Sequence, residues 1–356
     1  MESLLHWRRR SLFLSVGSAI STGTREVLWE YPGDTHDHMI PIQTSGLTKY
    51  YGSLCAVDHL DLSIGNEIFA LLGPNGSGKT TTVLMLTTLL LPTEGSATVC
   101  GHDIREEPQE VRRLISYVPQ DMAVDIKLTG RENVALFAKL YGIARRDETI
   151  DRVLEMMDLA GRADDLVRTY SGGMRRRLEL AQALVHEPKV LFLDEPTIGL
   201  DVAARKKIWE HIRMLKSRGM TIFVTTHYMD EADHSCDRVA ILDHGRVAAV
   251  DSPAHLKGML GKDLISARVS GGFSGTLPAG IERLGEKENG EFVFSSDHAS
   301  EKVPVLFRWL EEHGAVIHSL SVREPTLDDV FLALVGAKDD VTGFDDHRFR
   351  TMLRRR

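Results

Sequence analysis

The segment from Gly73 to Thr80 has the residue types and spacing that bind a phosphate chain. It reads Gly-Pro-Asn-Gly-Ser-Gly-Lys-Thr, which fits the pattern G-x-x-x-x-G-K-[ST]. Its glycines let the backbone wrap tightly, so that several N–H groups point at phosphate oxygens. The Lys79 ammonium would neutralise the β- and γ-phosphates, and the Thr80 hydroxyl would bind Mg²⁺.

The surrounding sequence supplies the context that phosphate binding requires. Glu67–Leu72 predicts a buried strand before the loop, and Thr81–Leu91 predicts a helix after it, whose N-terminus favours an anion. A Gly-rich turn that binds nothing is the alternative, and this strand–loop–helix order argues against it. The predicted phosphate-binding residues are Gly73, Pro74, Asn75, Gly76, Ser77, Gly78, Lys79, Thr80 and Thr81.

Two acidic residues follow a second apolar run. Val190–Leu193 predicts a buried strand, and Asp194 and Glu195 come directly after it. Ligands of open α/β sheets bind beyond the carboxyl ends of the strands, so both carboxylates should lie near the phosphates. There Asp194 would hold Mg²⁺, mainly through water, and Glu195 would orient and polarise the attacking water. A solvated turn is the alternative for these two acids.

The pattern between Ile42 and Lys262 alternates strands with helices. Thr221–Thr225 is a third short, almost fully apolar run of the kind found in a sheet covered on both faces. Arg131–Tyr141 and Thr149–Met157 have helical periodicity. We therefore expect an α/β fold with a mainly parallel sheet.

The chain changes character after Lys262. Glycines divide residues 263–336 into short pieces, which predict a small, separate α+β domain. Residues 1–41 are interpreted as a disordered extension, with Met39 as a candidate start, and residues 337–356 as a disordered tail. In the small domain the predicted strands are Glu291–Ser295 and Val316–Val322, and the predicted helices are Glu301–His313 and Leu327–Leu334.

The composition is that of an ordinary soluble protein and excludes several classes. The 356 residues include 43 Lys and Arg against 51 Asp and Glu, a net charge of −8, so no nucleic-acid partner is expected. Three cysteines without short spacing argue against a disulfide framework or a zinc site. The longest apolar stretch, Val83–Leu91, is shorter than the roughly 20 residues that span a bilayer.

The segment Tyr170-Ser171-Gly172-Gly173-Met174 identifies a family. With the two preceding sites, it resembles the signature of ABC transporter ATP-binding subunits, which is usually Leu-Ser-Gly-Gly-Gln. The Ser-Gly-Gly core is intact, whereas Tyr170 and Met174 depart from the pattern, and Met174 lacks the amide of Gln. The resemblance implies an α/β P-loop NTPase, that is, an ABC ATPase cassette over residues 42–262 with a helical subdomain at about 121–180.

Other elements of that family occur in the expected order. Gln120 resembles the Q-loop glutamine, which implies contact with Mg²⁺ and a catalytic role. Asp201, in Gly199-Leu200-Asp201, resembles the D-loop, and His227 resembles the catalytic switch histidine. Tyr51 resembles the aromatic residue that stacks on adenine, and neighbouring Tyr50 is the alternative.

The resemblance implies a mechanism with ATP and Mg²⁺ as cofactors. Two copies, or paired cassettes, would join head to tail, with each ATP between the phosphate loop of one copy and Ser171, Gly172 and Gly173 of the other. Glu195 would act as general base or water orienter. A separate transmembrane permease subunit would form the pore, so the chain is expected at the cytoplasmic face of the membrane.

Further segments resemble one branch of the family, the daunorubicin-resistance-type exporter ATPases. They are Lys127–Asn133, Leu140–Gly142, Tyr170–Arg177 and Glu324–Phe331. A non-transport ABC ATPase that remodels or regulates a protein or nucleic acid is the alternative, and an importer ATPase is a third possibility. The basic run Arg175–Arg177 is interpreted as a solvated helix face, with a phosphate or intersubunit role as the alternative.

Overall fold

The structure is a computed structural model that describes residues 40–260, 263–287, 290–296 and 299–336. The candidate start at Met39, nearly all of the predicted extension and the predicted tail lie outside the described residues. No helix within the described ranges is both long enough and apolar enough to cross a membrane.

The bounds of the elements are as follows. The strands of the described residues are β1 (Ile42–Tyr51), β2 (Leu54–Ile64), β3 (Ile68–Leu72), β4 (Glu94–Val99), β5 (His102–Asp103), β6 (Ile115–Val118), β7 (Val190–Asp194), β8 (Thr221–Thr226), β9 (Arg238–Asp243), β10 (Arg246–Asp251), β11 (Asp263–Ser270), β12 (Glu282–Glu286), β13 (Glu291–Ser296) and β14 (Val316–Arg323). Their helices are α1 (Lys79–Leu86), α2 (Pro108–Leu114), α3 (Gly130–Leu140), α4 (Arg146–Met156), α5 (Gly172–Ala183), α6 (Val202–Ser217), α7 (Met229–Ser235), α8 (Pro253–Gly258), α9 (Ala299–Glu312) and α10 (Leu327–Gly336), with short 3₁₀ turns at Ala160–Arg162 and Val167–Thr169.

A six-stranded sheet lies at the centre of the fold, in the order β10-β9-β3-β8-β7-β6. Strands β9, β3, β8, β7 and β6 are parallel, and β10 pairs antiparallel with β9. Every residue of β3, β7 and β8 is buried. The predicted mainly parallel α/β sheet is therefore confirmed, because apolar runs of this kind must be covered on both faces.

The two faces of this sheet carry different layers. Phe69, Phe192 and Phe223 share the face that packs with α1 and with an antiparallel sheet of order β2-β1-β4-β5. The ring centroids of Phe69 and Phe192 lie 5.6 and 5.4 Å from that of Phe223. Alternate residues such as Ala70 and Leu193 face the layer of α3, α5 and α6. Period-two alternation thus separates the two layers.

Helices α3, α4 and α5 pack together, and Tyr170 is buried in the same apolar core. The Tyr170 hydroxyl donates a hydrogen bond of 2.6 Å to the carbonyl of Arg162. A Cβ at Gly130, the first residue of α3, would lie 2.4 Å from that hydroxyl oxygen. The phenol therefore fills space that the missing side chain of Gly130 leaves, which explains how an aromatic residue fits at this position.

Helix α1 is shorter than the predicted Thr81–Leu91. It begins at Lys79 and ends at Leu86. The Thr87 hydroxyl donates to the carbonyl of Val83 at 2.8 Å, and Thr88 adopts a left-handed φ of 62° that turns the chain out of the helix. The apolar periodicity of this segment did not reveal that break.

A second antiparallel sheet, of order β12-β13-β11-β14, contains the strands of residues 263–336. Helix α9 covers one face, and α10 packs between the other face and helices α7 and α8. Leu264, Val293 and Val330 belong to the same apolar core as the central sheet. Strands β11 and β12 were not predicted from the sequence. Strand β12 is short and charged, and among the described strands it pairs only with β13.

Asp329, on α10, is a fully buried carboxylate that joins this sheet to α10. It accepts hydrogen bonds of 2.5 and 2.7 Å from the Arg323 guanidinium, and of 2.8 and 2.7 Å from the backbone N–H and hydroxyl of Thr326. Burial alone would raise the pKa of Asp329, but the hydrogen bonds from Arg323 and Thr326 outweigh it and lower the pKa to about 2.

We expect Asp329→Asn to lower the free energy of unfolding at pH 7 by about 2 kcal/mol. The folded-state pKa lies below the unfolded one, so this stabilisation is present above about pH 4 and is lost as pH falls toward 2. Urea unfolding of both chains at several pH values measures the difference. Asp328→Asn is the control and should not destabilise, because Asp328 is exposed on the same helix and its pKa is raised rather than lowered. Equal stability of wild type and Asp329→Asn at pH 7 would contradict this account.

Candidate active site

The phosphate loop runs from Gly73 to Gly78 between β3 and α1. Neither of these two glycines has room for a side chain. A Cβ at Gly73 would lie 2.4 Å from the carbonyl oxygen of Leu242. Gly78 has a φ of 105°, and its Cβ would lie 2.3 Å from the carbonyl oxygen of Ala56. The loop conformation therefore depends on glycine, as the sequence pattern predicts.

The mouth of the loop can receive an anion. Its middle residues Pro74, Asn75 and Gly76 are exposed, and so is Thr80 at the start of α1. The Ser77 hydroxyl oxygen is buried and has no hydrogen-bond partner among the described residues. An unpaired buried hydroxyl beside a helix N-terminus is suited to a ligand that carries hydrogen-bond acceptors.

Lys79 is a buried cation at the base of this mouth. Its Nζ donates to the carbonyls of Gly73, at 2.7 Å, and Pro74, at 3.1 Å, and lies 3.7 Å from Oε1 of Glu195. Burial lowers the pKa of Lys79, whereas the charges of Glu195 and Asp194 oppose that shift. A desolvated ammonium of this kind gains from an added anion.

Asp194 lies at the carboxyl end of β7 and is almost fully buried. Its carboxylate accepts a hydrogen bond from the Thr225 hydroxyl of β8. The Tyr117 hydroxyl lies 3.5 Å from the other carboxylate oxygen. Burial, with the charge of Asp194, raises the pKa of Tyr117 to about 12, so that the phenol stays protonated.

Glu195 holds its carboxylate between the side chains of Lys79 and His227. Besides Lys79, Nδ1 of His227 lies 2.8 Å from Oε2 of Glu195. The Glu195 backbone has a φ of 47°, which side-chain-bearing residues rarely adopt. Its N–H donates to the carbonyl and hydroxyl oxygens of Thr225 at 3.0 and 3.1 Å, and these bonds hold the conformation. The structure thus brings together Lys79, Asp194, Glu195 and His227.

His227 follows β8 and is linked to the segment that precedes α6. Its ring centroid lies 4.1 Å from that of Tyr228, with the two planes tilted by 38°, and the Tyr228 ring lies 4.5 Å from the Arg205 guanidinium. Arg205 donates to the carbonyl of Leu200 at 3.0 Å. Asp201 caps α6 by accepting the Ala204 N–H at 2.8 Å.

The remaining predicted site residues lie on the surface. Ser171 caps α5 by accepting the Met174 N–H at 3.3 Å, and Gly172 and Gly173 form the first turn of that helix. Gln120 is exposed after β6. No hydrogen bond or ion pair in the described part of the chain joins these residues to Lys79, and the side chain of Met174 packs on the apolar core.

The two candidates for adenine stacking are both accessible. Tyr50 is 39% exposed and Tyr51 is 47% exposed, at the end of β1. The Lys49 ammonium lies 5.6 Å from the centroid of the Tyr51 ring. Both rings can therefore be reached from solvent.

The basic run Arg175–Arg177 on α5 does not form the solvated helix face that the sequence predicted. Arg176 is only 2% exposed, and its guanidinium donates to backbone carbonyls, so neither a solvated face nor a phosphate contact describes it. Arg177 also donates to carbonyls, those of Met157 and Asp158. The available signal was the position of Arg176 three residues before Glu179 on a helix with apolar neighbours.

Comparison with known proteins identifies the chain. A family model described as ABC transporter matches residues 57–198. The daunorubicin/doxorubicin resistance ATP-binding protein DrrA of Streptomyces peucetius is 41% identical over 312 residues, which cover 84% of this chain and 93% of that protein. The Nod factor export ATP-binding protein I of Rhizobium sp. (strain N33) is 39% identical, with 83% and 97% covered.

Solved structures of ABC transporter ATP-binding subunits are also similar to this chain. The cbiO1 protein of Clostridium perfringens, part of the ABC transporter complex cbiONQ, has a TM-score of 0.58 at 28% identity, covering 61% of this chain and 90% of that one. The dimeric ATP-binding cassette MJ0796 bound to ADP and phosphate has a TM-score of 0.54 at 27% identity, with 59% and 98% covered. The chain therefore belongs to the ABC transporter family, as one of its ATP-binding and ATP-hydrolysing subunits.

Proposed function

We propose that this chain powers an exporter by ATP-dependent dimerisation and drives transport through a separate membrane subunit. The observation that carries the proposal is the meeting of Lys79, Glu195 and His227 at the mouth of the phosphate loop. The names of relatives support export, since one confers daunorubicin resistance and another serves Nod factor export. The site of action is then the cytoplasmic face of the membrane.

The nucleotide would bind with its phosphates in the loop Gly73–Gly78 and its adenine on Tyr51. Lys79 would exchange its two backbone carbonyl acceptors for β- and γ-phosphate oxygens, which carry more charge. The Ser77 hydroxyl, which has no partner within the described residues, and the amides of Thr80 and Thr81 face the same end of α1. These groups are hydrogen-bond donors that can bind the phosphate oxygens of a nucleotide.

The oxygen donors proposed for Mg²⁺ lie at the start of α1, at the end of β7 and just after β6. The Thr80 hydroxyl, the Asp194 carboxylate and the Gln120 amide would hold it, and Mg²⁺ keeps several waters and binds substrate phosphates in sites with one or two carboxylates. When bound, it neutralises charge on the β- and γ-phosphates. Asp194 is already oriented by Thr225 and Tyr117.

Hydrolysis would use Glu195 as the base. Its carboxylate takes a proton from water as the water oxygen attacks the γ-phosphorus and the bond to the bridging oxygen breaks. His227, at 2.8 Å from that carboxylate, would contact the γ-phosphate and hold Glu195 in place. Catalysis of this kind consists mainly of positioning and electrostatic stabilisation.

Each site would be completed by a second copy of the chain. Ser171, Gly172 and Gly173 are accessible at the N-terminus of α5, where the hydroxyl and amides can reach a γ-phosphate on the partner. Asp201 would lie at the same interface. The dimeric ADP- and phosphate-bound state of MJ0796 supports such a pairing. Within this scheme residues 42–262 are the cassette, with residues 121–180 as its helical subdomain, and residues 263–336 are an accessory domain.

We expect Glu195→Gln to reduce steady-state ATP hydrolysis by about 10²- to 10⁴-fold, because the amide cannot accept the proton. ATP binding should persist, so that ATP induces stable dimers. Phosphate release and size-exclusion chromatography with and without ATP measure the two effects. Glu210→Gln, at an exposed carboxylate of α6, is the control. Near-normal hydrolysis in Glu195→Gln would exclude Glu195 as the base.

We expect Ser171→Arg to abolish ATP hydrolysis while the monomer still binds nucleotide, because Ser171 would serve the partner's ATP. Fluorescent-nucleotide titration and the hydrolysis rate distinguish the two steps. Ser217→Arg adds the same side chain at an exposed serine of α6 and should leave both unchanged. Loss of nucleotide binding by the Ser171→Arg monomer would argue against a composite site.

A further inference from the structure

Arg176 is a buried arginine that touches two separate parts of the candidate site. It lies in the second turn of α5, the helix that begins at the Ser-Gly-Gly segment. Its guanidinium donates to the carbonyls of Pro119 (2.7 Å), Pro196 (3.0 Å), Asp194 (3.1 Å) and Glu195 (3.5 Å), and to the carboxylate of Glu179 (2.9 Å).

Glu179, the partner of Arg176, extends this network. It is buried on the same helix, and its other carboxylate oxygen accepts the backbone N–H of Ala123 at 2.6 Å. The pair therefore binds both ends of the segment Pro119–Ala123, which carries Gln120. It binds the turn that carries Glu195 at the same time.

Stability alone does not explain why the charges of Arg176 and Glu179 are buried. A buried ion pair contributes little net stability, because desolvation offsets the attraction. The planar fork of arginine, however, places several donors in fixed directions. Here it spans the backbone carbonyls of two loops, one of which contains the left-handed Glu195.

We propose that Arg176 and Glu179 are positioning residues for hydrolysis, which hold Gln120 and Glu195 in a fixed relation to the helix that begins at Ser171. This proposal rests on the proposed function, in which Ser171 contacts the ATP of the partner copy. The pair then connects the helix that senses one ATP with the base that acts on the other. Neither residue touches nucleotide.

The test compares Arg176→Gln/Glu179→Gln with Arg177→Gln in the full-length chain. The double variant leaves no unpaired buried charge, and Arg177 is matched because it also donates to two backbone carbonyls. We expect the double variant to lower kcat by about 10- to 100-fold, the effect of a misplaced catalytic group. Its KM for ATP should stay within about twofold, because ground-state binding is unchanged.

Two further readouts separate this role from a structural one. Thermal unfolding monitors folding of both variants. In the Glu195→Gln background, the double variant should still form ATP-dependent dimers, which shows that binding and pairing survive. A kcat equal to wild type in the folded double variant, or an equal loss in Arg177→Gln, would overturn the proposal. Failure of the proposed function would instead appear as full activity of Glu195→Gln alone.

Discussion

The register of β8 between β3 and β7 is the constraint on which the rest of the site depends. Thr226 lies opposite Leu72 of β3, and Thr225 lies opposite Asp194 of β7. Because the strands are parallel, their carboxyl ends meet at one edge of the sheet. Thr225 then bonds both Asp194 and the backbone of Glu195, and His227 follows two residues later. A shift of one residue would separate these groups.

The site also depends on a balance of buried charge. Lys79 and Glu195 are both nearly inaccessible to water, so each has lost hydration and needs a partner. They lie 3.7 Å apart, and His227 contacts the same carboxylate. A triphosphate adds negative charge beside Lys79 and the N-terminus of α1. A triphosphate in the loop would therefore give Lys79 a further anionic partner.

The sequence predicted the parts of this fold whose signals are local. The three apolar runs became β3, β7 and β8 with end shifts of one residue, and the helices α3 and α9 followed their periodicity. The antiparallel strands β1, β2 and β4, and β11 and β12 of the second sheet, were missed. The hairpin of β1 and β2 has register shifts that obscure its alternation. The pairs β1–β4, β11–β13 and β11–β14 join segments that are far apart in the chain, so that tertiary contacts select them.

What the sequence determined by itself was the chemistry: a Gly-rich loop with Lys79, two acids after a strand, a Ser-Gly-Gly segment and the family these features identify. Tertiary structure alone decided which charges are buried and what they contact. Arg176 looked like one of three solvated arginines, yet it is enclosed by two loops from distant parts of the chain. Residue type and spacing specify which groups can react, whereas burial and partners arise only when separate segments are brought together by packing.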